Sequence, residues 1–411
     1  MNILYLTSEG LTEPIGYSQI LPFLCNLAKR GVHIHILSLE DDHMYKKGKK
    51  RIEDIVNNAG IEWSVVVEDT YKIPLISFFR NQNRLKSKAS KLCKMRSFDI
   101  VHGRSYLVAN IGLYLKKHYQ TKLLFDMRLF YADDKIDTLV WKMGNPLYRM
   151  MYLYFKNKEQ KLFNLSDYIV TKTETSKNIL IQDYHVQIPV SVIPSCVDFN
   201  LFNREAITVE EQESIRKQLG VTKDDFIISY IGSLGNCYML NEMMSFVSEL
   251  IKVKPQTKFL IITPDSEDIV IASAKKYGVD LQKIIIEFVM RNQMPLYISI
   301  MDVSIFFIRP VFSKKASSPK KMGEVLSLGI PIITNKGVGD VNAIVKNGTF
   351  GLLIEDFSTK SYQQAISQLD NLLKTTSSLC SDTAKSYFSL EKGANEYARI
   401  YEQLKTSLIE N

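Results

Sequence analysis

The segment Lys314-Lys315-Ala316-Ser317-Ser318-Pro319-Lys320-Lys321-Met322-Gly323-Glu324 is the best local candidate for chemistry in this chain of 411. Ser318 is a good helix N-cap and Pro319 a good first helical residue, so the segment reads as a helix start. Backbone amides without an intrahelical acceptor, together with the helix dipole, favour an anion at such a place. Lysines at 314, 315, 320 and 321 suit a diphosphate. Glu324 falls between one and two turns in, where its carboxylate can accept hydrogen bonds from sugar hydroxyls. An ordinary capped helix with surface lysines would use the same residues.

Further groups follow apolar runs that read as strands. Gly232-Ser233-Leu234-Gly235 comes directly after Ile231, and glycines there let a backbone approach a ligand closely. Asp126 and Arg128, with Asp133, Asp134 and Asp137 beyond, stand where cleft residues belong; an ion pair that merely fixes a loop is the plainer alternative. His102 and Arg104 end another run, and a histidine there serves as an acid, a base or a satisfied polar group. In Glu13-Pro14-Ile15-Gly16-Tyr17-Ser18-Gln19, Gly16 permits a tight turn and Ser18 is expected to cap the first helix.

Other chemistries lack their signatures. No G-x-G-x-x-G follows the first strand, which argues against a dinucleotide-dependent dehydrogenase, and there is no Walker P-loop. No D-x-D occurs, so the usual mark of metal-dependent, single-domain sugar transferases is missing and no metal or other cofactor is expected. The five cysteines are unpaired in spacing and odd in number, against a zinc site or disulfide framework.

The elements that must position these residues alternate. Strand patterns fall at 2–7, 33–39, 61–67, 99–102, 122–126, 168–171 and 190–193, then at 226–231, 258–263, 283–288, 303–307 and 331–334, with helical patterns between them such as 18–29 and 147–165. This is an α/β chain with parallel sheets covered by helices on both faces. The pattern restarts after Pro194, which gives two Rossmann-like, doubly wound domains, 1–200 and 201–389. They are expected to face one another across a cleft, with ligands beyond the carboxyl ends of the strands. A last helix over 390–408 carries Tyr397, Ile400, Tyr401 and Leu404 at helical spacing.

Charge is uneven. Residues 1–203 hold 28 Lys+Arg against 20 Asp+Glu, whereas 204–411 hold 24 of each. Residues 70–122 have twelve basic side chains and one acid, Asp99: a solvated helix face, or a patch for anionic lipid headgroups or a polyanionic acceptor. No nucleic-acid-binding pattern accompanies it, so no nucleic-acid partner is expected. No apolar run reaches the length of a membrane span. The first residues lack a basic n-region and meet a charge at Glu9, so they read as a strand and not a signal peptide, which points to the cytoplasm.

Taken together, several segments resemble one family, the retaining glycosyltransferases of family 4 with the GT-B fold, and within it a bacterial polysaccharide-assembly subgroup. The resemblance is carried by 10–22 with Gly16 and Gln19, by Phe125-Asp126-Met127-Arg128 with Asp133 and Asp134, and by 192–198. Tyr230-Ile231-Gly232-Ser233-Leu234-Gly235, 317–324, Gly329-Ile330-Pro331 and Gly337-Val338-Gly339-Asp340 complete it. It implies that the donor nucleotide-sugar sits on the second domain, with Glu324 on the ribose, Lys321 and nearby amides on the diphosphate, and Val289 and Met290 beside the base. It also implies that Gly232, Ser233, Lys315 and Ser318 line the donor site. Gly16, Gln19, His102, Arg104, Asp126 and Arg128 would form the acceptor side, with His102, Asp126 and Arg128 nearest the chemistry, and the last helix, 390–411, would cross back to the first domain. The implied acceptor is a glycan or a lipid-linked acceptor, with the protein peripheral at the inner face of the cell membrane.

The chain departs from that family in named places. Ala316 stands where the wider family has a glutamate, Ser233 where it has an arginine, and no lysine follows before Lys252; Lys320 replaces the subgroup's threonine. Phosphate charge would then come from Lys315, Lys320, Lys321 or Arg309. The competing readings are a sugar-nucleotide epimerase of the same fold and a degenerate, non-enzymatic GT-B partner protein.

Overall fold

A computed structural model describes the chain except residues 71–73, 236, 346–348 and 410–411; Lys72, one of the twelve basic residues noted above, lies outside the described residues. The chain divides into two compact units, Met1–Pro194 with Leu390–Asn411, and Ser195–Ser389. The division falls a few residues before the boundary at 200 expected from sequence, because Val197 bonds through its amide to the carbonyl of Phe388 and is fully buried in the second core.

In the first unit, β1 (Asn2–Thr7), β2 (His33–Glu40), β3 (Glu62–Val67), β4 (Ile100–Arg104), β5 (Lys122–Asp126), β6 (Tyr168–Thr171) and β7 (Val190–Val192) form one parallel sheet, ordered β3-β2-β1-β4-β5-β6-β7. Near-continuous apolar runs such as Asn-Ile-Leu-Tyr-Leu-Thr are what a strand buried on both faces requires. Strand order reverses between β1 and β4, which opens a crevice at their carboxyl ends. Register places Thr7 beside Arg104 and Arg104 beside Asp126, so polar side chains gather at that crevice. The last helix, Leu390–Ile409, packs on this sheet, burying Tyr397, Ile400, Tyr401 and Leu404.

The second unit repeats the plan with β8 (Phe226–Ile231), β9 (Thr257–Ile262), β10 (Ile284–Glu287), β11 (Val303–Phe306), β12 (Ile332–Asn335) and β13 (Gly351–Ile354), ordered β10-β9-β8-β11-β12-β13 and parallel. The edge strand β13 is absent from the sequence reading. Its four residues are too short a run to show a period.

Two local expectations are corrected. Ser18 caps no helix: Gly16–Ile20 is a π-helical turn that runs into the helix Leu21–Ala28, whose N-cap position is Ile20. Ser318 is not the N-cap of the donor-segment helix either, as its hydroxyl accepts the backbone N–H of Ser195 at 3.2 Å. Pro319 takes the N-cap position, with extended backbone, and the helix runs Lys320–Ser327 without a side-chain cap.

Candidate functional site

The first unit's carboxyl-end crevice is built round Asp126, 1 % exposed. Arg128 donates to its Oδ1 at 3.2 Å and Arg104 lies 3.5 Å from its Oδ2. Arg104 donates in turn to Glu9 at 2.6 Å and reaches Gln19 at 3.5 Å. Although burial opposes ionisation, Arg128, His102 and Arg104 hold the Asp126 carboxyl well below the usual range, which fixes it as a carboxylate. His102 is held on one side by Tyr401, Nδ1 to hydroxyl 2.7 Å, while Nε2 faces Asp126 at 3.6 Å. Its ring packs among Tyr5, Tyr397 and Tyr401, and burial pushes its pKa down, favouring the neutral imidazole. Asp126, Arg128, Arg104, His102 and Gln19 are therefore one connected group.

Sequence reasoning missed Glu9 and Lys172. Lys172 follows β6, beside the strand that ends in Asp126. Burial and the neighbouring guanidiniums of Arg128 and Arg104 bring its pKa down to about 7. In sequence it stands one residue past the run 168–171 with nothing to mark it; only the register of β5 and β6 brings it to the crevice.

Glu40 was missed as well. It is fully buried at the end of β2, and its carboxylate accepts from the amides of Leu11 (2.7 Å) and Thr12 (3.1 Å) and from the hydroxyls of Thr12 (2.6 Å) and Ser38 (2.5 Å). These bonds fold the chain after β1 so tightly that a Cβ on Gly16 would fall 2.0 Å from the carbonyl oxygen of Gly10. Burial and the Glu40 charge raise the pKa of Glu13 to about 7. Glu40→Ala should release this loop: donors left unsatisfied in a buried place cost about 1–3 kcal/mol each. The expected loss, at least ~3 kcal/mol by that scale, is readable by urea unfolding; a smaller loss than Asp42→Ala would count against the role given to Glu40.

In the second unit, the turn after β8 and the start of the helix Lys320–Ser327 converge. Gly232 has φ +120°, and a Cβ there would lie 3.0 Å from Nζ of Lys321. The Lys321 ammonium stands over the rings of Tyr230 (4.1 Å) and Tyr238 (3.7 Å). It is 9 % exposed, and Nζ has no hydrogen-bond partner among the described residues. Burial lowers its pKa to about 7. A buried amine without a partner is costly unless a ligand supplies one. Lys320, whose side chain is 12 % exposed, has a pKa lowered to about 8, chiefly by loss of solvent.

Glu324 is 6 % exposed, and Arg291 donates to its Oε1 at 2.8 Å while Lys320 lies 3.7 Å away. Arg291 follows Met290, which is exposed. Arg291 carried no recognisable signal in sequence; proximity to Glu324 is what singles it out. Ser233 is exposed beside Gly232, and its carbonyl accepts the Tyr230 hydroxyl. Ser318 and Lys315 are half-buried before the helix, so Ser318 contributes a brace and no cap. The assembly presents ammonium groups, uncapped helix amides and a carboxylate together, a set that can bind a phosphorylated hydroxyl compound.

Residues 21–201 match the family model for Glycosyltransferase Family 4, and residues 211–379 match that for Glycosyl transferases group 1. The chain is a GT-B glycosyltransferase of the family 4 type. This glycosyltransferase is 21% identical to an uncharacterized glycosyltransferase of Methanocaldococcus jannaschii, over 75% of its own length and 76% of the relative's. It is 20% identical to the alpha-monoglucosyldiacylglycerol synthase of Streptococcus pneumoniae, over 80% and 69% of the two chains. Among solved structures, Anabaena HepE in complex with UDP superposes with a TM-score of 0.70 at 13% identity, covering 98% of this glycosyltransferase and all of that chain (100%). That likeness establishes two Rossmann-like domains, and the matched models establish glycosyl transfer from a nucleotide-sugar.

Proposed function

We propose that the enzyme transfers a sugar, with retention at the anomeric carbon and without a metal ion, from a UDP-sugar to a glycan or lipid-linked acceptor in cell-surface polysaccharide synthesis. The observation that carries this reading is Lys321, a buried amine with no hydrogen-bond partner among the described residues, at the uncapped helix start beside Gly232. A donor diphosphate would supply the counter-charge it lacks. UDP bound to the structurally similar Anabaena protein favours uridine over guanosine.

In the proposed reaction, Lys321, Lys320 and the amides of the helix start stabilise the diphosphate as its bond to the anomeric carbon breaks. Glu324 binds the ribose after exchanging its bond to Arg291 for the hydroxyls, and Met290 borders the base. The acceptor hydroxyl attacks from the face that the diphosphate leaves, and its proton passes to a departing phosphate oxygen. Asp126 and Arg128, with Arg104 and His102, orient the acceptor, and the enzyme works at the inner face of the cell membrane.

A thermal-shift screen of UDP- and GDP-sugars followed by nucleotide-release assays tests this. The expected result is stabilisation by one UDP-sugar and nucleotide release that rises at least ~10-fold when an acceptor extract is added. Rapid turnover of donor without acceptor would favour an epimerase, and stabilisation by no nucleotide-sugar would defeat the reading.

A further inference from the structure

The basic stretch 70–122 is largely committed to the fold. Arg80 and Arg84 pair with Asp69 at 3.2 and 3.0 Å, Lys88 donates to the carbonyl of Val65 at 2.8 Å, and Arg96 pairs with Glu62. Lys116 and Lys122 pair with Asp167, and Lys86 stacks on Tyr114. Exposed charge without an ion pair among the described residues also lies elsewhere in the first unit, beside an extended exposed apolar surface.

That surface spans 139–154. Before the helix Pro146–Leu165, the loop residues Leu139 (66 % exposed), Val140 and Met143 point outward, while Trp141 between them is buried with Phe155 and Ala132 in a small apolar core. Leu139 holds φ +60°, a conformation costly for a branched side chain, and the loop is tied by Trp141 N–H to the Lys135 carbonyl at 2.8 Å. On the helix, Tyr148, Met151, Tyr152 and Phe155 face that core. Leu147, Met150 (62 % exposed), Leu153 (60 % exposed) and Tyr154 occupy the opposite arc. With roughly 100° between successive residues, these four fall within an arc of about 120°. Seven apolar side chains about half exposed leave on the order of several hundred Å² uncovered, the range that marks an interaction surface.

Lys142 and Arg149 are exposed at its edges, Lys161 lies exposed farther along the same face, and none of the three has an ion pair among the described residues; Lys158 leans over Tyr154. From 138 to 165 the one acid is Glu159, which is buried and paired with Lys156. Asp134 and Asp137, on the preceding helix Tyr131–Asp137, are half-buried. A second copy docked through this face would bring like charges together, whereas anionic headgroups complement them. The helix begins after β5 has ended and returns toward β6, so its first turns stand at the carboxyl end of the sheet, the same end as Asp126.

We infer that the loop 139–145 and the first three turns of the helix Pro146–Leu165 form the surface by which the enzyme docks on an anionic bilayer, its apolar side chains entering the headgroup region beside the Asp126 crevice. The inference deepens the proposed reading of a lipid-linked acceptor and rests on it for its biological sense.

The test is co-sedimentation of the full chain with phosphatidylcholine vesicles containing about 30 mol % phosphatidylglycerol, alongside sedimentation equilibrium without vesicles. The intact chain should bind and should bind more weakly as salt rises. The triple variant Leu147→Ser, Met150→Ser, Leu153→Ser should lose about tenfold or more in partitioning. Lys142→Gln with Arg149→Gln should weaken binding and flatten its salt dependence. Both variants should melt like the parent and keep its donor-only nucleotide release, because neither touches the crevice. Failure of the intact chain to bind overturns the inference, as does a dimer that the triple serine variant dissociates without any vesicle binding. Absent nucleotide release with intact vesicle binding would count against the proposed reaction alone.

Discussion

Lys321→Met is expected to cut turnover severely and to make the protein more stable. The Lys321 amine is enclosed by Tyr230 and Tyr238 and lacks a hydrogen-bond acceptor among the described residues, and a thioether fits such an aromatic cage without needing one. Removing one preorganised charge from a site of developing negative charge costs roughly 10²–10³ in rate. The stability gain has a defined pH dependence. Burial depresses the Lys321 pKa from 10.5 to about 7, so between those values the unfolded chain binds the proton more strongly than the folded one. The parent is therefore penalised fully below about pH 7, and the penalty lifts as pH rises toward 10.5. The methionine variant should exceed the parent in urea midpoint by an amount equivalent to a few kcal/mol at pH 6, and the gap should narrow by pH 9. Lys172 titrates in the same window, but it is present in both proteins and cancels in the comparison. A gap that does not change with pH, or a variant with parental turnover, would refute the account. The same titration predicts proton uptake when a nucleotide diphosphate binds at pH 8, visible by calorimetry in buffers of different ionisation enthalpy.

Asp126→Asn should destabilise the first unit severely. It leaves Arg104 and Arg128, each 4 % exposed, without the carboxylate both of them use. Breaking one side of a buried charge group costs about 3–5 kcal/mol. Both tryptophans, Trp63 and Trp141, belong to the first unit, so their fluorescence follows its unfolding. Because the Asp126 pKa is depressed, its contribution is present above the ordinary carboxylate pKa of 3.8 and is lost as pH falls below it. The asparagine variant should therefore lie far below the parent at pH 7 and converge on it in acid. Parental fluorescence midpoints at pH 7 would show that Asp126 does not hold the crevice together.

Most of the fold was legible because buried parallel strands announce themselves as short apolar runs. The runs at 226–231 and 303–307, for instance, could hardly be anything else beside amphipathic helices. The strand β13 was hidden because four residues bounded by a glycine carry no period. The polar sites were legible where function imposes odd residue types on a helix start, as at Lys320 and Lys321. They were illegible where register decides: Lys172 comes under the charges of Arg104 and Arg128 only because β6 lies beside β5. Glu40 looked like a charge at the end of a strand, yet four donors from two segments converge on it. Ser318 misled because its hydroxyl had a competing claim from Ser195, far away in sequence.

The return of Leu390–Ile409 to the first sheet sets an order of events during synthesis. Residues 195–389 form a continuous stretch that can fold as it leaves the ribosome. The first sheet is made earlier but must wait for Tyr401 to reach His102 and for Asn395 to reach Arg30. The half of the protein translated first is thus the half finished last, and through that interval its unfilled groove is what a nascent-chain chaperone would meet.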